Sequence, residues 1–251
     1  MNNILYSLAA TLLVSIISFV GILGILLKEK LLNRILLWLV GFSAGALIGG
    51  AFLHLIPEAL EEGAQENFFV FILLGFIIFF ILEKALFWHH CHKHAHEGRD
   101  CGVKTFGYMN LIGDGLHNLI DGIVIAASFS VDVSLGIATT IAVIAHEVPQ
   151  EISDFGVLVY GGFSKAKALL FNFVSALLAV VGAIAGVYLI SALDDLNYIL
   201  IGITAGGFIY ISASDLIPEI NKEGKTKKSI ISLAFFLIGI GFMYWIKGIF
   251  E

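Results

Sequence analysis

The sequence predicts an all-α integral membrane protein with eight transmembrane helices. The chain has 251 residues, of which 59% are hydrophobic and only 14% are charged, and its mean hydropathy is +0.96. A soluble domain of this length carries far more charge on its surface. The apolar residues also form long runs, and crossing a bilayer takes a run of about 20 residues. Low charge and long apolar runs together indicate a polytopic membrane protein.

Eight apolar runs are separated by polar breaks. The first run has no basic residue before it and is too long for a signal peptide, so we expect it to be retained. Only one connection, residues 89–105, has appreciable length, and residues 1–251 are predicted to form a single transmembrane domain. The predicted spans cover residues 4–27, 35–57, 68–88, 106–129, 134–160, 165–191, 197–218 and 229–249.

The basic residues predict the orientation of these spans. If the spans alternate in direction, thirteen of the fourteen Lys and Arg residues fall on one side, and the other side receives only Lys247. The loops of that other side are acidic instead, with Glu61, Glu62 and Asp194 among their residues. Because Lys and Arg are enriched in cytoplasmic loops, we expect both termini to lie outside, in the plasma or inner membrane of a cell.

An internal repeat relates the second span to the seventh. A shift of 161 residues aligns Gly41–Glu58 with Gly202–Glu219, and both segments end in Leu-Ile-Pro-Glu. Chance similarity between spans rich in Gly and Ala is the alternative explanation. The two spans run in opposite directions, so the repeat is inverted in the membrane. Inverted repeats that flank a central site are typical of secondary transporters.

Spans four and five each carry a stripe of polar residues on one helix face, at spacings of three and four. The stripes consist of Asn110, Asp114, His117, Asn118 and Asp121 on span four and His146, Glu147, Gln150, Glu151 and Asp154 on span five. Each charged group at the middle of a membrane costs about 2.5–3.5 kcal/mol. Neither span contains a Lys or Arg. Protons, water or a bound cation must therefore compensate the acids.

The two histidines of the stripes favour a transition-metal ion. Imidazole is a better ligand for Zn²⁺ than for Ca²⁺ or Mg²⁺. His117 with Asp121, and His146 with Gln150, are four residues apart, so each helix offers a pair of ligands. Two facing pairs would supply the four ligands that Zn²⁺ prefers. A hydrogen-bonded polar seam between two helices is the alternative.

Other residues of the stripes have candidate roles around this ion. Asn118 and Glu147 lie next to the pairs and could hold a second ion or orient the ligands of the first. Asp114 and Asp154 are candidates for the path of the ion. Pro149 removes a backbone hydrogen bond and is predicted to kink span five beside the site.

At these motifs the chain resembles the ZIP family of divalent metal-ion transporters, in their prokaryotic form. The motifs are His117-Asn118-Leu-Ile-Asp121-Gly122 on span four and His146-Glu147-Val-Pro149-Gln150-Glu151 on span five. The resemblance implies a 3+2+3 arrangement, in which spans 1–3 and 6–8 are related by inversion around spans four and five. It also implies a binuclear metal centre and uptake into the cytoplasm of Zn²⁺, or in some relatives of Fe²⁺, Mn²⁺ or Cd²⁺.

The resemblance also implies a ligand set. It places His117, Asp121, His146 and Gln150 around the first ion, and Asn118, Asp121, Glu147 and Gln150 around the second. The chain departs from the family pattern at Gln150, where many relatives have His or Glu, and Glu151 could compensate although it points about 100° further around the helix. In span six, Ala179 occupies the place of a glutamate that bridges the second ion in some bacterial members.

Polar residues near the two membrane surfaces are predicted to line the path of the ion. His54 and Glu58 lie at the outer end of span two, and the repeat places Asp215 and Glu219 at the inner end of span seven. We expect an outer funnel, which concentrates cations, and an inner release point. Ordinary polarity at the membrane interface is the alternative.

The loop after span three holds five histidines within eight residues. They are His89, His90, His92, His94 and His96. This composition indicates capture or sensing of metal on the cytoplasmic side. Because a flexible loop makes a poor rigid site, we expect it to tune transport.

The sequence fits two other functional classes less well than a transporter. An intramembrane zinc hydrolase would need a second histidine in a His-Glu-x-x-His motif, and Gln150 stands in its place. A membrane metal sensor would need an output domain, for which we expect no room. We therefore expect no enzymatic activity, no organic cofactor and no nucleic-acid partner. The expected partners are divalent metal ions and the lipid bilayer, with a homodimer as an option.

Overall fold

The structure is a computed structural model that describes residues 2–61, 67–91, 103–192, 196–221 and 226–250. Every regular element in these ranges is helical, which confirms the all-α class. The helices follow one another in eight stretches. They are α1 (Asn2–Ile17, the 3₁₀ turn Ser18–Ile22 and Leu23–Leu26), α2 (Glu29–Gly49, the π-helical turn Gly50–Leu55 and Ile56–Glu61), α3 (Phe68–Cys91), α4 (Val103–Val131), α5 (Val133–Tyr160), α6 (Lys165–Ala176 and Leu178–Ala192), α7 (Leu196–Tyr210, the π-helical turn Ile211–Leu216 and Ile217–Asn221) and α8 (Thr226–Phe250).

Four stretches among the described residues are long and apolar enough to cross a bilayer. They are Asn3–Ile22, Arg34–Glu61, Lys165–Ile190 and Ser229–Ile249, which belong to α1, α2, α6 and α8. Helices α4 and α5 are also long, at 29 and 28 residues, but their polar stripes replace apolar side chains with histidines, amides and carboxylic acids. The chain is therefore a membrane protein in which two long helices, α4 and α5, carry stripes of polar residues.

The outward faces of these helices are apolar. Leu73 on α3, Tyr188 on α6 and Leu237 on α8 are 58%, 71% and 58% exposed. Soluble proteins rarely expose large continuous apolar surfaces. In a bilayer such faces contact lipid, while the helices satisfy their own backbone hydrogen bonds.

Backbones touch directly where two helix pairs cross. A Cβ atom on Gly45 of α2 would collide with the carbonyl oxygen of Phe236 on α8, and one on Gly206 of α7 would collide with that of Ile72 on α3. Gly45 and Gly206 are equivalent residues of the 161-residue repeat. Small residues at helix crossings allow such close approach in membranes. The repeat therefore places a glycine at the equivalent crossing point of the pairs α2–α8 and α3–α7.

The two π-helical turns also occupy equivalent positions of the repeat. Residues 50–55 of α2 and 211–216 of α7 are related by the same shift of 161 residues. The Ser212 hydroxyl donates a hydrogen bond to the Ala44 carbonyl over 2.9 Å, so α7 contacts α2 at this turn. π-helical turns are rare and often occur at functional sites. Here both turns lie in the helices that cover the polar stripes.

Pro149 lies inside α5, which remains one helix from Val133 to Tyr160. Proline has no N–H group, so the carbonyl of Ala145 loses its usual helical partner. The Ser43 hydroxyl of α2 donates to that carbonyl, and it also lies 2.7 Å from the carbonyl oxygen of Leu39. A side chain from another helix thus satisfies the group that the proline frees.

Candidate metal site

The polar stripes of α4 and α5 face each other inside the helix bundle. Six of their ionisable or amide side chains are almost fully shielded from solvent: Asp114, Asn118, Asp121, His146, Glu147 and Glu151, each at most 6% exposed. Both helices contribute through their i, i+3 and i+4 positions, as the sequence pattern predicts. Burying this many polar groups in a bilayer requires compensation, so their mutual arrangement decides what the site can bind.

Four of these residues form what we call the histidine cluster: His117, Asp121, His146 and Glu147. One ligand atom from each lies within 4.8 Å of every other. The two imidazole Nε2 atoms are 3.1 Å apart, and His146 Nε2 is 3.2 Å from Asp121 Oδ2. Glu147 Oε1 is 3.4 Å from His117 Nε2 and 3.5 Å from His146 Nε2. All four donor atoms therefore converge on one small space.

The backbone orients one of the two imidazoles. His146 Nδ1 lies 3.1 Å from the carbonyl oxygen of Ala142. A carbonyl oxygen only accepts hydrogen bonds, so this contact requires a proton on Nδ1, and the neutral tautomer that carries it there has its Nε2 lone pair directed at the cluster. Protein metal sites commonly hold a histidine ligand in this way.

Aromatic rings from α3 and α7 cover the histidine cluster. Phe79 packs edge-on against His117 at a centroid distance of 6.5 Å, and Phe208 packs against His146 at 6.2 Å. Both phenylalanines are buried. Apolar walls of this kind exclude water and strengthen the attraction between a cation and its ligands.

Three carboxylates form what we call the oxygen cluster: Asp114, Glu147 and Glu151. One oxygen atom from each lies within 4.8 Å of the others. Glu147 belongs to both clusters and joins them. The Asn118 amide donates to Asp114 Oδ1 over 2.9 Å, and the Asn172 amide of α6 donates to Glu151.

The remaining residues of the stripes also make contacts between α4 and α5 or lie beside the oxygen cluster. Gln150 donates to Asp114 Oδ1 over 3.4 Å, which places its amide beside the oxygen cluster. Asp154 accepts a hydrogen bond of 3.0 Å from Asn110. Glu151 points about 100° further around the helix than Gln150, yet its carboxylate lies within the oxygen cluster.

Asn172 of α6 lies outside the two stripes but contacts one of them. It is fully buried on α6 and donates both to the side chain and, over 3.2 Å, to the backbone carbonyl of Glu151. The sequence feature that points to it is that Asn172 is the single amide side chain of span six, since an amide in hydrocarbon needs a partner. Ser175, one turn further on, donates to the carbonyl of Leu111 over 3.1 Å.

Among the residues predicted near the membrane surfaces, the structure describes the side chains of His54 and Glu58. His54 Nε2 is 2.9 Å from the carbonyl oxygen of Met243, and His54, Glu58, Glu61 and Lys247 line one pocket. The backbones of Asp215 and Glu219 lie in α7, and those of His89 and His90 in α3. The side chains of these four, and all of His92, His94 and His96, lie outside the described residues.

Comparisons with known proteins match this chain to zinc transporters over most of its length. The family model described as ZIP Zinc transporter matches residues 2–100 and 88–247. The zinc transporter YKE4 of Saccharomyces cerevisiae is 33% identical over 239 residues, which cover 82% of this chain and 69% of that protein. The zinc transporter zipt-7.1 of Caenorhabditis briggsae is 31% identical over 273 residues, with the same two coverages. The zinc transporter ZIP13 homolog of Drosophila melanogaster is 28% identical over 286 residues, covering 89% of this chain and 81% of its own.

Proposed function

Because the chain belongs to the ZIP zinc transporter family, we propose that it carries divalent metal ions, with Zn²⁺ as the main cargo, from outside into the cytoplasm. The observation that carries this proposal is the histidine cluster between α4 and α5, in which Asp121, His146 and Glu147 are buried and His117 is half-buried. Fe²⁺, Mn²⁺ and Cd²⁺ are further candidate cargoes. The transported ion is the substrate, and no organic cofactor takes part.

The spacing of the donor atoms supports Zn²⁺ at the histidine cluster. Zinc bonds of about 2.0–2.1 Å in tetrahedral geometry separate the ligand atoms by about 3.3 Å. The two imidazole nitrogens are 3.1 Å apart, and the imidazole nitrogens lie 3.2, 3.4, 3.5 and 3.8 Å from the carboxylate oxygens, so the separations fall on both sides of that value. Two neutral imidazoles and two carboxylates would also cancel the charge of a divalent ion, which lowers the cost of holding it in a membrane.

Glu147 is the fourth ligand in this proposal. The family resemblance implies Gln150 at that place, but a carboxylate is the stronger ligand for a cation, and Glu147 Oε1 lies within 3.5 Å of both histidines. Asn118, Gln150 and Glu151 then line the next step of the path. His54 and Glu58 would receive the ion from outside, and Asp154, Asp215 and Glu219 would pass it to the cytoplasm.

Alternating access would let the ion enter on one side and leave on the other. Backbone contacts and the π-helical turns pack α2, α3, α7 and α8 together. A second set of contacts joins α4 to α6, where a Cβ atom on Gly122 would collide with the Ala179 carbonyl. We propose that these two groups move against each other, in a 3+2+3 arrangement with spans 1–3 and 6–8 inverted around α4 and α5.

The membrane potential gives this transport its direction. The distribution of Lys and Arg favours termini on the outside and the basic loops in the cytoplasm. A potential that is negative inside favours entry of a cation by about 2.3 kcal/mol per elementary charge per 100 mV. An uncompensated divalent ion gains twice that amount.

Metal flux into liposomes tests the proposal. Purified protein would be reconstituted around a trapped zinc-sensitive dye, and the flux of Zn²⁺ and Cd²⁺ measured for the native protein, His117→Ala and His146→Ala. Thr140→Ala is the matched control, since it truncates a buried side chain of α5 whose hydroxyl bonds only to its own helix, at Gly136. We expect flux in the native protein and the control, and its loss in both histidine variants.

Two results would contradict the proposal in different ways. A folded native protein that moves no divalent ion would overturn the transport function. Normal flux in the histidine variants would leave the function standing and overturn the assignment of the histidine cluster.

A further inference from the structure

A hydrogen bond between a tyrosine and an acid joins α3 to α7, away from both metal clusters. The Tyr210 hydroxyl of α7 donates to Glu83 Oε2 of α3. Tyr210 is buried and Glu83 is half-buried. Glu83 is the only Asp or Glu between Phe68 and Cys91, and it belongs to neither the histidine cluster nor the oxygen cluster. An acid within a membrane span is costly and by default indicates a function.

This pair lies within one helical turn of the rings that cover the histidine cluster. Glu83 follows Phe79 by four residues on α3, and Tyr210 follows Phe208 by two on α7. Phe79 and Phe208 are the two rings that pack against the imidazoles. Residues four apart lie on the same face of a helix, so Glu83 and Phe79 share one face of α3. The hydrogen bond therefore holds α3 and α7 together next to their contacts with the histidines.

Aromatic packing orients the tyrosine towards the acid. The Phe76 ring lies edge-on to the Tyr210 ring at a centroid distance of 5.0 Å, and the Phe80 ring does so at 6.3 Å. Edge-to-face contacts favour a defined orientation of the rings. Tyr210 also directly precedes the π-helical turn Ile211–Leu216. The bond to Glu83 therefore anchors α7 where the α-helix changes into that turn.

The equivalent position of the repeat is packed without such a bond. The shift of 161 residues relates Tyr210 of α7 to Gly49 of α2, which also directly precedes a π-helical turn. A Cβ atom on Gly49 would lie 2.8 Å from Met243 Cβ of α8, so the pair α2–α8 meets by close packing at this point. The repeated architecture therefore does not itself require a polar pair here, which favours a role for Glu83 and Tyr210 in the neighbouring site.

We propose that Glu83 and Tyr210 are positioning residues for the ion at the histidine cluster. Their hydrogen bond holds α3 against α7, so that Phe79 and Phe208 stay packed on the imidazoles and keep water away from the ion. Water that enters when the bond is lost weakens the attraction between the ion and its ligands. The consequence for transport rests on the proposed function, whereas the consequence for binding requires only that the histidine cluster binds the ion.

Zinc binding and zinc flux in two variants test this role. The equilibrium affinity for Zn²⁺ would be measured on purified protein in lipid nanodiscs, and the flux of Zn²⁺ in liposomes. Tyr210→Phe and Glu83→Ala should each weaken Zn²⁺ binding about tenfold. The KM of flux should rise by a similar factor while the maximal flux stays nearly unchanged, because the four donor atoms of the cluster are intact. Tyr210→Phe removes a single oxygen atom, so it keeps the test valid if Glu83→Ala fails to fold.

A conservative variant and a matched control separate the hydrogen bond from other effects. Glu83→Gln removes the charge but keeps an oxygen that accepts the hydrogen bond from Tyr210, so its Zn²⁺ affinity should stay close to that of the native protein. Tyr244→Phe removes the same hydroxyl from a tyrosine of α8 that is 69% exposed, and it should change neither affinity nor KM. A loss in Glu83→Gln as large as that in Glu83→Ala would show that the charge of Glu83 acts, and would overturn the proposal.

The double variant and the unfolding temperature complete the test. Glu83→Ala combined with Tyr210→Phe should weaken Zn²⁺ binding no more than either change alone, since both remove one bond. Additive losses would mean that the two residues act separately, contrary to the proposal. If the variants lower the unfolding temperature but leave Zn²⁺ affinity and KM unchanged, the bond is only structural and the proposal is wrong. If the expected binding pattern is found in a protein that shows no flux, the positioning role stands and the transport function fails.

Discussion

Different interactions join the helix pair α2–α8 and the helix pair α4–α5. In α2–α8, glycines bring backbones into contact, so the pairing depends on shape and on dispersion forces between close atoms. In α4–α5, buried acids, amides and histidines face one another, and several of their oxygens lack a partner. The first pair is held by contacts within the protein alone, whereas the second has the donor atoms of the proposed metal site. The two pairs therefore allow close packing and the proposed metal binding to be tested separately.

The largest expected change in stability comes from a glycine substitution in α8, which tests the backbone contact between α2 and α8. A Cβ atom on Gly239 would collide with the Phe42 carbonyl of α2, while one on Gly241 meets nothing within 4 Å. Gly239→Ala should lower the free energy of unfolding by about 3 kcal/mol, whereas Gly241→Ala should leave it unchanged or raise it by up to about 1 kcal/mol. Titration with SDS in mixed micelles measures both. Similar losses in the two variants would show that backbone contact does not hold the pair.

Zinc should raise the stability of the protein through the histidine cluster of α4–α5, and not through the α2–α8 contact. An ion at 100 times its dissociation constant adds about 2.7 kcal/mol to the stability of the protein that binds it. Thermal unfolding with and without Zn²⁺ should show this gain in the native protein and in Gly241→Ala, and its absence in His146→Ala. A gain that persists in His146→Ala would locate the stabilising ion elsewhere.

The contact between Ser43 and Ala145 joins the two regions and predicts a smaller effect. Ser43→Ala leaves the Ala145 carbonyl buried without a partner, because Pro149 cannot supply one, at a cost of about 1–3 kcal/mol. Pro149→Ala restores an N–H group, so Ser43→Ala should cost much less in that background. Ser128→Ala is the control, since its hydroxyl bonds only within α4. Additive effects in the double variant would mean that serine and proline are not coupled.

The start of α5 gives the smallest expected effect, outside the membrane. Asp132 accepts a hydrogen bond from the backbone N–H of Ser134 and caps the helix. Asp132→Ala should cost about 0.5–1 kcal/mol, and Asp132→Asn close to nothing. The hydrogen bond from the Ser134 hydroxyl holds the pKa of Asp132 below its ordinary value of 3.8. The ionised form is thus favoured by folding, and this part of the stabilisation is present above pH 3.8 and lost as the pH falls through the lowered pKa. A cost of Asp132→Ala that does not shrink in acid would contradict the assignment.

The local features of the central helices could be predicted from the sequence. The stripes on α4 and α5 follow from i, i+3 and i+4 spacing, which places residues on one face whatever the rest of the protein does. The repeat, also visible in the sequence, relates two segments that both contain a π-helical turn at the equivalent position. The turn itself could not be read from the sequence, because it depends on packing between helices.

The helical class and the placement of imidazoles among acids on one helix face were determined by the sequence alone, because hydropathy and helical spacing are local properties. Only the tertiary structure decided which side chains meet: Glu147 beside both histidines, Gln150 beside Asp114, and Asn172 against Glu151. These contacts depend on how three helices rotate and approach one another, to within less than the length of a metal–ligand bond. Motif spacing along one helix carries no information on that geometry, since the contacts are made across helices by residues up to 36 positions apart.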